Sequence, residues 1–359
     1  MRIFLMMLIA IFGLLFLSMC CKDEPTKPPD EIIKNPREYV WTVDTLAYPG
    51  SMQVYMKSIW ASSPTDVYVV GHNERGFGKM YHFNGISWTD VKLSTAQGGQ
   101  IDGAIDLVDI IGFGSNDIYA VGEKIYTNPA PPPNFLDSSL IIHFDGTQWR
   151  EIQIPRMRGL ASVWGANSQD VWADGYYGSL YHFDGLLWNR ILIDTTLSFG
   201  NIFGLSPKDV YTTCARILDK DNQRDSTQYL MYHFNSSSWS AIDSSYEFLG
   251  YYQERFGFNL WGTTTSIYSA NQAVYKKTGS SWIPILNTGL PFYSIFGTDD
   301  NNFFVGGYGN QIYHFNGTDW FQFKQLSDAT KFCTSIWCND KEAFIVSGDG
   351  SKTWIFHGK

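Results

Sequence analysis

Cysteine is scarce, with five in 359 residues. Two of them, Cys20 and Cys21, are adjacent near the N-terminus, and the remaining three, Cys214, Cys333 and Cys338, show no zinc-ligand spacing. Cys333 and Cys338 stand five apart in one predicted strand; alternation then sends their side chains to opposite faces, which argues against a bridge. All three read as small buried hydrophobes. Charged residues are also few, at 17%, and the formal net charge of -9 is spread without a basic run. A nucleic-acid groove needs clustered Lys and Arg to neutralise phosphates, so nucleic acid is not an expected partner. Helical periodicity is missing from residue 39 onward, and only one long apolar run exists, at residues 3 to 19. What is plentiful is apolar and aromatic content, 44% and 16%, enough to bury a large core as one big all-β domain or two smaller ones.

The apolar run, IFLMMLIAIFGLLFLSM, follows Met1 and Arg2 and ends at Cys20. A short apolar stretch with a basic start reads as a secretion signal over residues 1 to 19 rather than a spanning helix. The LSMC at 17 to 20 resembles the lipobox of bacterial lipoproteins, in which the cysteine is acylated. Cys20-Cys21-Lys22-Asp23-Glu24 is similar to the surface-export signal of Bacteroidota-type lipoproteins. That resemblance implies lipid on Cys20, or alternatively Cys21, and an outer-membrane, surface-exposed location; an ordinary cleaved signal or an uncleaved anchor is the other reading. Acyl chains contribute roughly 0.8 kcal/mol per buried methylene, so a multiply acylated cysteine anchors a protein essentially permanently. Residues 20 to 38, rich in Pro and charge, are expected to form an extended tether, and the folded part is expected to begin at Tyr39.

Beyond the tether the chain repeats itself. HFNGISW (82 to 88) returns as HFDGTQW (143 to 149), HFDGLLW (182 to 188), HFNSSSW (233 to 239) and HFNGTDW (314 to 320). The tryptophans Trp88, Trp149, Trp188, Trp239, Trp282 and Trp320 recur about 38 to 61 residues apart, the pitch of propeller blades. Each unit opens with a strand such as SIW (58 to 60), SVW (162 to 164) or SIF (294 to 296). A tight turn, a β-branched strand, a variable hairpin, the strand ending in HF and a strand after the tryptophan follow. Four short strands with Gly, Pro, Asn and Asp between them describe an antiparallel meander. The last unit stops short of its fourth strand, and YVWTVDTL (39 to 46) matches SWTDVKL (87 to 93), with Trp41 in the tryptophan slot and Asp44 the one poor match. An N-terminal strand completing the C-terminal unit closes a ring and removes exposed sheet edges. The expected architecture over 39 to 359 is therefore an all-β, seven-bladed β-propeller with four-stranded blades. By these residues, including Gly85 with Trp88, the chain resembles propellers built from Asp-box-like repeats, the photosystem assembly factor-like and sialidase-like groups among them.

Six of the seven histidines, His82, His143, His182, His233, His314 and His357, share one register near the end of the third strand. Antiparallel pairing brings that register beside the start of the second strand, where Asp66, Asp117, Asp170 and Asp209 sit. The expected pairs are Asp66 with His82, Asp117 with His143, Asp170 with His182 and Asp209 with His233, each fixing a turn by a charge-assisted hydrogen bond rather than holding a metal. In the fifth unit Ser266 and Lys276 replace acid and histidine together; in the seventh, Ala343 takes the acid's slot while His357 remains.

In a four-stranded meander the first and third connections lie at one end of the sheet, and the second connection and the link between blades at the other. The long insertions, 72 to 79, 123 to 139, 215 to 229, 94 to 104 and 244 to 256, all fall on the second rim. Long loops on a rigid scaffold are where recognition concentrates. Candidate ligand-binding residues there are Arg75, Phe77, Tyr126, Arg158, Tyr176, Tyr177, Arg224, Tyr251, Tyr252, Arg255 and Tyr293, aromatic faces with cationic edges that suit sugar stacking or a protein hot spot. Asp219, Asp221 and Asp225 space oxygen ligands like a calcium loop, although Arg224 stands where such loops use glycine and Leu230 where a closing glutamate would. No other metal or cofactor is expected. The reading is a non-catalytic, surface-anchored binding or scaffold propeller for an envelope protein or glycan. The alternative is a glycan-cleaving hydrolase of sialidase-like shape, which would need apposed carboxyl groups and an arginine cluster.

Overall fold

The HF[ND]G phrase folds as a turn whose first residue caps its own backbone. In the computed structural model Asn84 Oδ1 accepts from the Ile86 and Ser87 amides, both at 3.0 Å, and Gly85 supplies a φ of +88°. Asp145, Asp184, Asn235, Asn316 and Asp349 make the same pair of bonds in their own units. A short acceptor followed by a residue free to enter the left-handed region is what this turn requires, which is why Asn or Asp precedes Gly. The structure describes residues 34–218, 226–248, 251–253 and 255–359, and the unit Lys34–Lys359 is compact.

The strands form seven antiparallel sheets, each with its first strand innermost. Blade one, for example, is Val54–Ser63, Asp66–Asn73, Met80–Phe83 and Trp88–Asp90. Blade seven runs Phe332–Cys338, Ala343–Gly348, Thr353–Gly358 and then Trp41–Leu46, with Trp41 opposite Gly358 and Leu46 opposite Thr353. The ring is thus closed by the N-terminal strand, and Asp44 has a role there: its Oδ2 accepts from Trp88 Nε1 at 3.1 Å. Blade four carries a short fifth strand, Tyr251–Gln253, outside Trp239–Phe248. The folded unit also starts earlier than the expected tether boundary. Arg37 donates to both the carbonyl and Oδ1 of Asp319 at 2.8 Å and lies over Phe321, and Lys34 Nζ reaches the Lys359 carbonyl at 2.7 Å.

Cores lie between blades, one cluster per seam, so the fold is held by sheet-to-sheet packing around the ring. The recurring tryptophans belong to it: Trp149 meets Tyr68 of the preceding blade edge-on at 6.2 Å, and Trp188 meets Tyr119 at 6.1 Å. Inner-strand aromatics lean on the next blade, as Trp60 does on blade two, and Gly112 permits this, since a Cβ there would fall 2.5 Å from the Trp60 ring.

Six of the seven inner strands bulge near their loop-side end, and five of them bulge again near the turn. Bulges between Met56 and Ser58, Leu107 and Asp109, Leu160 and Ser162, Phe199 and Asn201, Phe292 and Ser294, and Cys333 and Ser335 each leave one residue unpaired. This overturns the strict alternation expected for Cys333 and Cys338. The bulge at Thr334 resets the parity, and both thiols enter the same apolar cluster, unbridged.

The four expected Asp–His pairs lie side by side. Histidine Nε2 donates to Oδ1 of Asp66 at 2.7 Å, Asp117 at 2.8 Å, Asp170 at 3.1 Å and Asp209 at 2.7 Å. In blade seven the partner of His357 is Glu342 at 2.5 Å; pairing Cys338 with Ala343 moves the acid's slot one residue earlier than sequence matching placed it. Blade five's turn, with Ser266 in place of the acid, borrows Asp300 from blade six, which accepts from Thr263, Thr265, Ser266 and Tyr268 at 2.8 to 3.2 Å.

Candidate functional site: the channel and its loop-bearing mouth

A channel of about 510 Å³ runs along the ring axis, lined by all seven inner strands. Toward the uniform turns its wall is an aromatic collar of Trp60, Trp164, Phe203, Trp261, Phe296 and Trp337. Toward the loops the wall is made by the bulged residues themselves: Lys57, Val108, Ala161, Gly200, Tyr293 and Thr334. A bulge turns its extra residue out of the pleat, so the same irregularity that bends each inner strand also supplies a lumen side chain.

Four of the residues that follow a bulge accept an amide of the next blade. Ile59 N donates to Ser335 Oγ at 3.3 Å, Val163 N to Asp109 Oδ2 at 2.9 Å, Ile202 N to Ser162 Oγ at 3.2 Å and Leu260 N to Asn201 Oδ1 at 2.8 Å. Asp109 is the charged member of this belt. It also accepts from Ser58 Oγ at 2.6 Å, its own neighbour's amide Ile110 N at 2.9 Å and Ser162 Oγ at 3.2 Å. Burial pushes its carboxyl above the usual range while these four donors oppose the shift. All its acceptor capacity is spent on the wall, leaving none for a ligand.

At the mouth the candidate residues separate into groups. Between blades two and three, Arg158 ion-pairs with Asp137 and its guanidinium lies 5.6 Å from the Tyr177 ring centroid, while Arg156 covers Tyr126 at 5.4 Å. Tyr176 stands beside Glu123 and Asp174, and burial followed by those two charges raises its hydroxyl. On the opposite side Tyr293 meets Phe332 edge-on at 6.4 Å, Phe332 meets Tyr55 at 5.8 Å, and Tyr308 pairs with Phe332 through its backbone. Tyr293 and Tyr308 keep 38% and 46% of their surface, enough to offer an aromatic face. Arg75 is drawn away from the mouth: its Nε donates to the Gly50 carbonyl at 2.7 Å, and Phe77 packs toward Tyr48 at 6.5 Å. Arg255 is exposed, 3.7 Å from Asp243. Tyr251 and Tyr252 occupy the fifth strand of blade four, and their side chains fall outside the described part; so do Arg224 and the calcium candidates Asp219, Asp221 and Asp225, as well as Cys20 and Cys21.

Sequence reasoning passed over Lys57, Tyr55, Phe332 and Glu123. Glu123 is half-buried, and burial, then Asp137 and Asp106, raise its carboxyl while Lys57 and His72 pull it down. Asp106 is already engaged, by Lys79 at 2.5 Å and His72 at 2.9 Å. No sequence signal marks the lumen residues: six of the inner strands outrun their partners by one or two residues, and which residue is left over is decided only in the folded sheet.

No protein-family model matches the chain, and no curated protein matches it in sequence. Solved structures do match. One described as YCF48 bound to D1 peptide aligns over 90% of this chain and 97% of its own, at a TM-score of 0.60 and 13% identity. YCF48 from Cyanidioschyzon merolae aligns over 88% and 98%, at 0.56 and 13%. The extracellular domain of a one-component system from B. thetaiotaomicron aligns over 86% of this chain and 41% of its own, at 0.55 and 11%. At these identities the likeness is one of fold: all of them share the ring of blades.

Proposed function

We propose that this protein is a non-catalytic binding propeller that takes a protein or glycan partner on its loop-bearing face, anchored at the outer membrane surface by lipid on Cys20 or Cys21. The observation that carries the binding reading is the mouth of the channel. Partly exposed aromatic faces at Tyr293 and Tyr308 stand on one side and the Arg158–Tyr177 pair on the other, around an axial cavity of about 510 Å³. Aromatic and arginine side chains at a rigid concave edge are the usual anchors of a recognition surface. The structure of YCF48 bound to D1 peptide supports the reading by likeness, because a propeller of this shape there holds a polypeptide. A hydrolase would need two carboxyl groups free to act on a substrate. Asp137 accepts instead from Arg158 and from the Gly159 amide at 3.3 Å, which favours recognition over cleavage.

The test is capture from an envelope extract together with a glycan array, using the full chain and a Tyr177→Ala, Tyr293→Ala double variant. Leu186→Ser, in a turn on the opposite rim and 84% exposed, is the control. The expected outcome is one partner retained by parent and control and lost by the double variant. Retention by all three sinks the reading. Anchoring is checked separately by mass spectrometry of the N-terminal peptide, where acyl mass on Cys20 or Cys21 is expected.

A further inference from the structure

Lys57 is the one cation among the described residues lining the channel, and Asp109 the one acid. The equivalent bulged residues of five other blades are neutral: Val108, Ala161, Gly200, Tyr293 and Thr334. Asp109 is turned into the wall and saturated by four donors. No carboxylate among the described residues lies within ion-pairing distance of Lys57. The neighbouring acids are engaged elsewhere, Asp106 by Lys79 and His72 and Asp137 by Arg158. Glu123 feels the Lys57 charge but is held toward its neutral form by burial. Lys57 is partly buried at the lumen wall with no carboxylate among the described residues to pair with, so its charge is available to an anion entering the channel. Around the lumen Lys57 is flanked by Val108 of blade two and Thr334 of blade seven, with Ala161 and Tyr293 one blade further on either side, and the collar of Trp60, Trp164, Trp261 and Trp337 lies deeper in.

We propose that the channel mouth binds a carboxylate carried on an aromatic or aliphatic body, with Lys57 meeting the anionic group and the lumen wall the apolar part. The proposal rests on the binding reading above and names the chemistry of its ligand. A free acid or the terminal carboxylate of a peptide would present the same group, and the cavity admits either class as far as its lining is concerned. Lysine gives a point charge on a flexible stem, suited to an anion whose exact orientation is set by the apolar contacts instead.

Four probes separate the cases: 3-phenylpropionate and its amide, and N-acetyl-Ala-Phe as free acid and as C-terminal amide. Binding is followed by tryptophan fluorescence, since four tryptophans line the lumen, and by calorimetry on the full chain. In the parent each acid is expected to bind about tenfold or more tighter than its amide, the scale of one charge-assisted contact. The ratio should fall to about one in Lys57→Gln and persist in Lys57→Arg, with unchanged circular dichroism in both. Tighter binding of the dipeptide acid than of phenylpropionate assigns a chain end, and the reverse a free acid. Equal binding of acid and amide, no binding of either, or a ratio that survives in Lys57→Gln overturns the proposal. Partner capture that is lost with Tyr177 and Tyr293 while acid and amide bind alike would leave the binding face standing and remove only the carboxylate.

Discussion

Asp174 sits where blades one, two and seven have Val70, Val121 and Val346, fully buried against Thr212 of the next blade, and its Oδ1 has no partner among the described residues. Burial, with a smaller push from Asp109, raises its pKa to about 8. An unfolded aspartate loses its proton near about 3.9. Between those values the folded chain holds a proton the unfolded chain has released, so this residue makes stability fall as pH rises from about 4 to about 8. Asp174→Asn should raise the thermal midpoint by a few degrees at pH 8 and by almost nothing at pH 4, as read by calorimetry at both values. His314 works in the other direction. It is held neutral by burial and by Arg37, with a pKa lowered to about 4, and its Nε2 donates to Asn302 at 3.0 Å. An unfolded histidine protonates near about 6.5, so its contribution is present above that pH and is lost as pH falls toward about 4. In His314→Gln the midpoint should decline less steeply over that window. The histidine register and its aspartates were legible in sequence because antiparallel pairing alone places them together. Glu342 and Lys57 were not, since both depend on local register that a one-residue bulge or shift decides. Asp174 is the one acid in a column that otherwise holds Val70, Val121, Thr213, Gly306 and Val346.

At the scale of single strands the bulges matter most. They put Cys333 and Cys338 into one core, where burial pushes both thiols up, as it does Cys214. Thiolate is the reactive form, so the native chain should show no rapid thiol labelling at these three positions, and full labelling once denaturant unfolds it. The closing strand was readable from its tryptophan match, and what the match could not show is how tightly it lies on its neighbour. A Cβ at Gly358 would fall 2.8 Å from the Trp41 ring. Gly358→Val should therefore cost roughly 1 to 3 kcal/mol by overpacking, seen as a lower urea midpoint, and should hasten proteolysis at Arg37 as the strand lifts. The fifth strand of blade four had no counterpart in the repeat and so no template to be read from; long hairpins pair with themselves when nothing else covers their edge.

Taken as one body, the ring is laced circumferentially as well as packed seam by seam, with side chains of Ser335, Asp109, Ser162 and Asn201 each accepting an amide of the following blade. Replacing Asp109 with Ala would orphan four donors at once and should lower stability by on the order of 3 kcal/mol or more, with amide exchange rising first in the inner strands of blades two and three. Blade number, ring closure and the division into a uniform and an irregular rim could all be drawn from repeat spacing, since each follows from strand order alone. Which rim residues converge could not, because Arg75 and Arg158 look alike in sequence and only packing sends one to Gly50 and the other over Tyr177. The pairing of Trp41 with Gly358 has one more consequence. During synthesis the earliest part of the ring leaves the ribosome about three hundred residues before its hydrogen-bonding partner exists, so six blades can stack in the order they emerge while the seventh waits for both its ends. Maturation of the molecule should accordingly show a late, slow step that no single blade possesses, and covalently joining the two ends should abolish it.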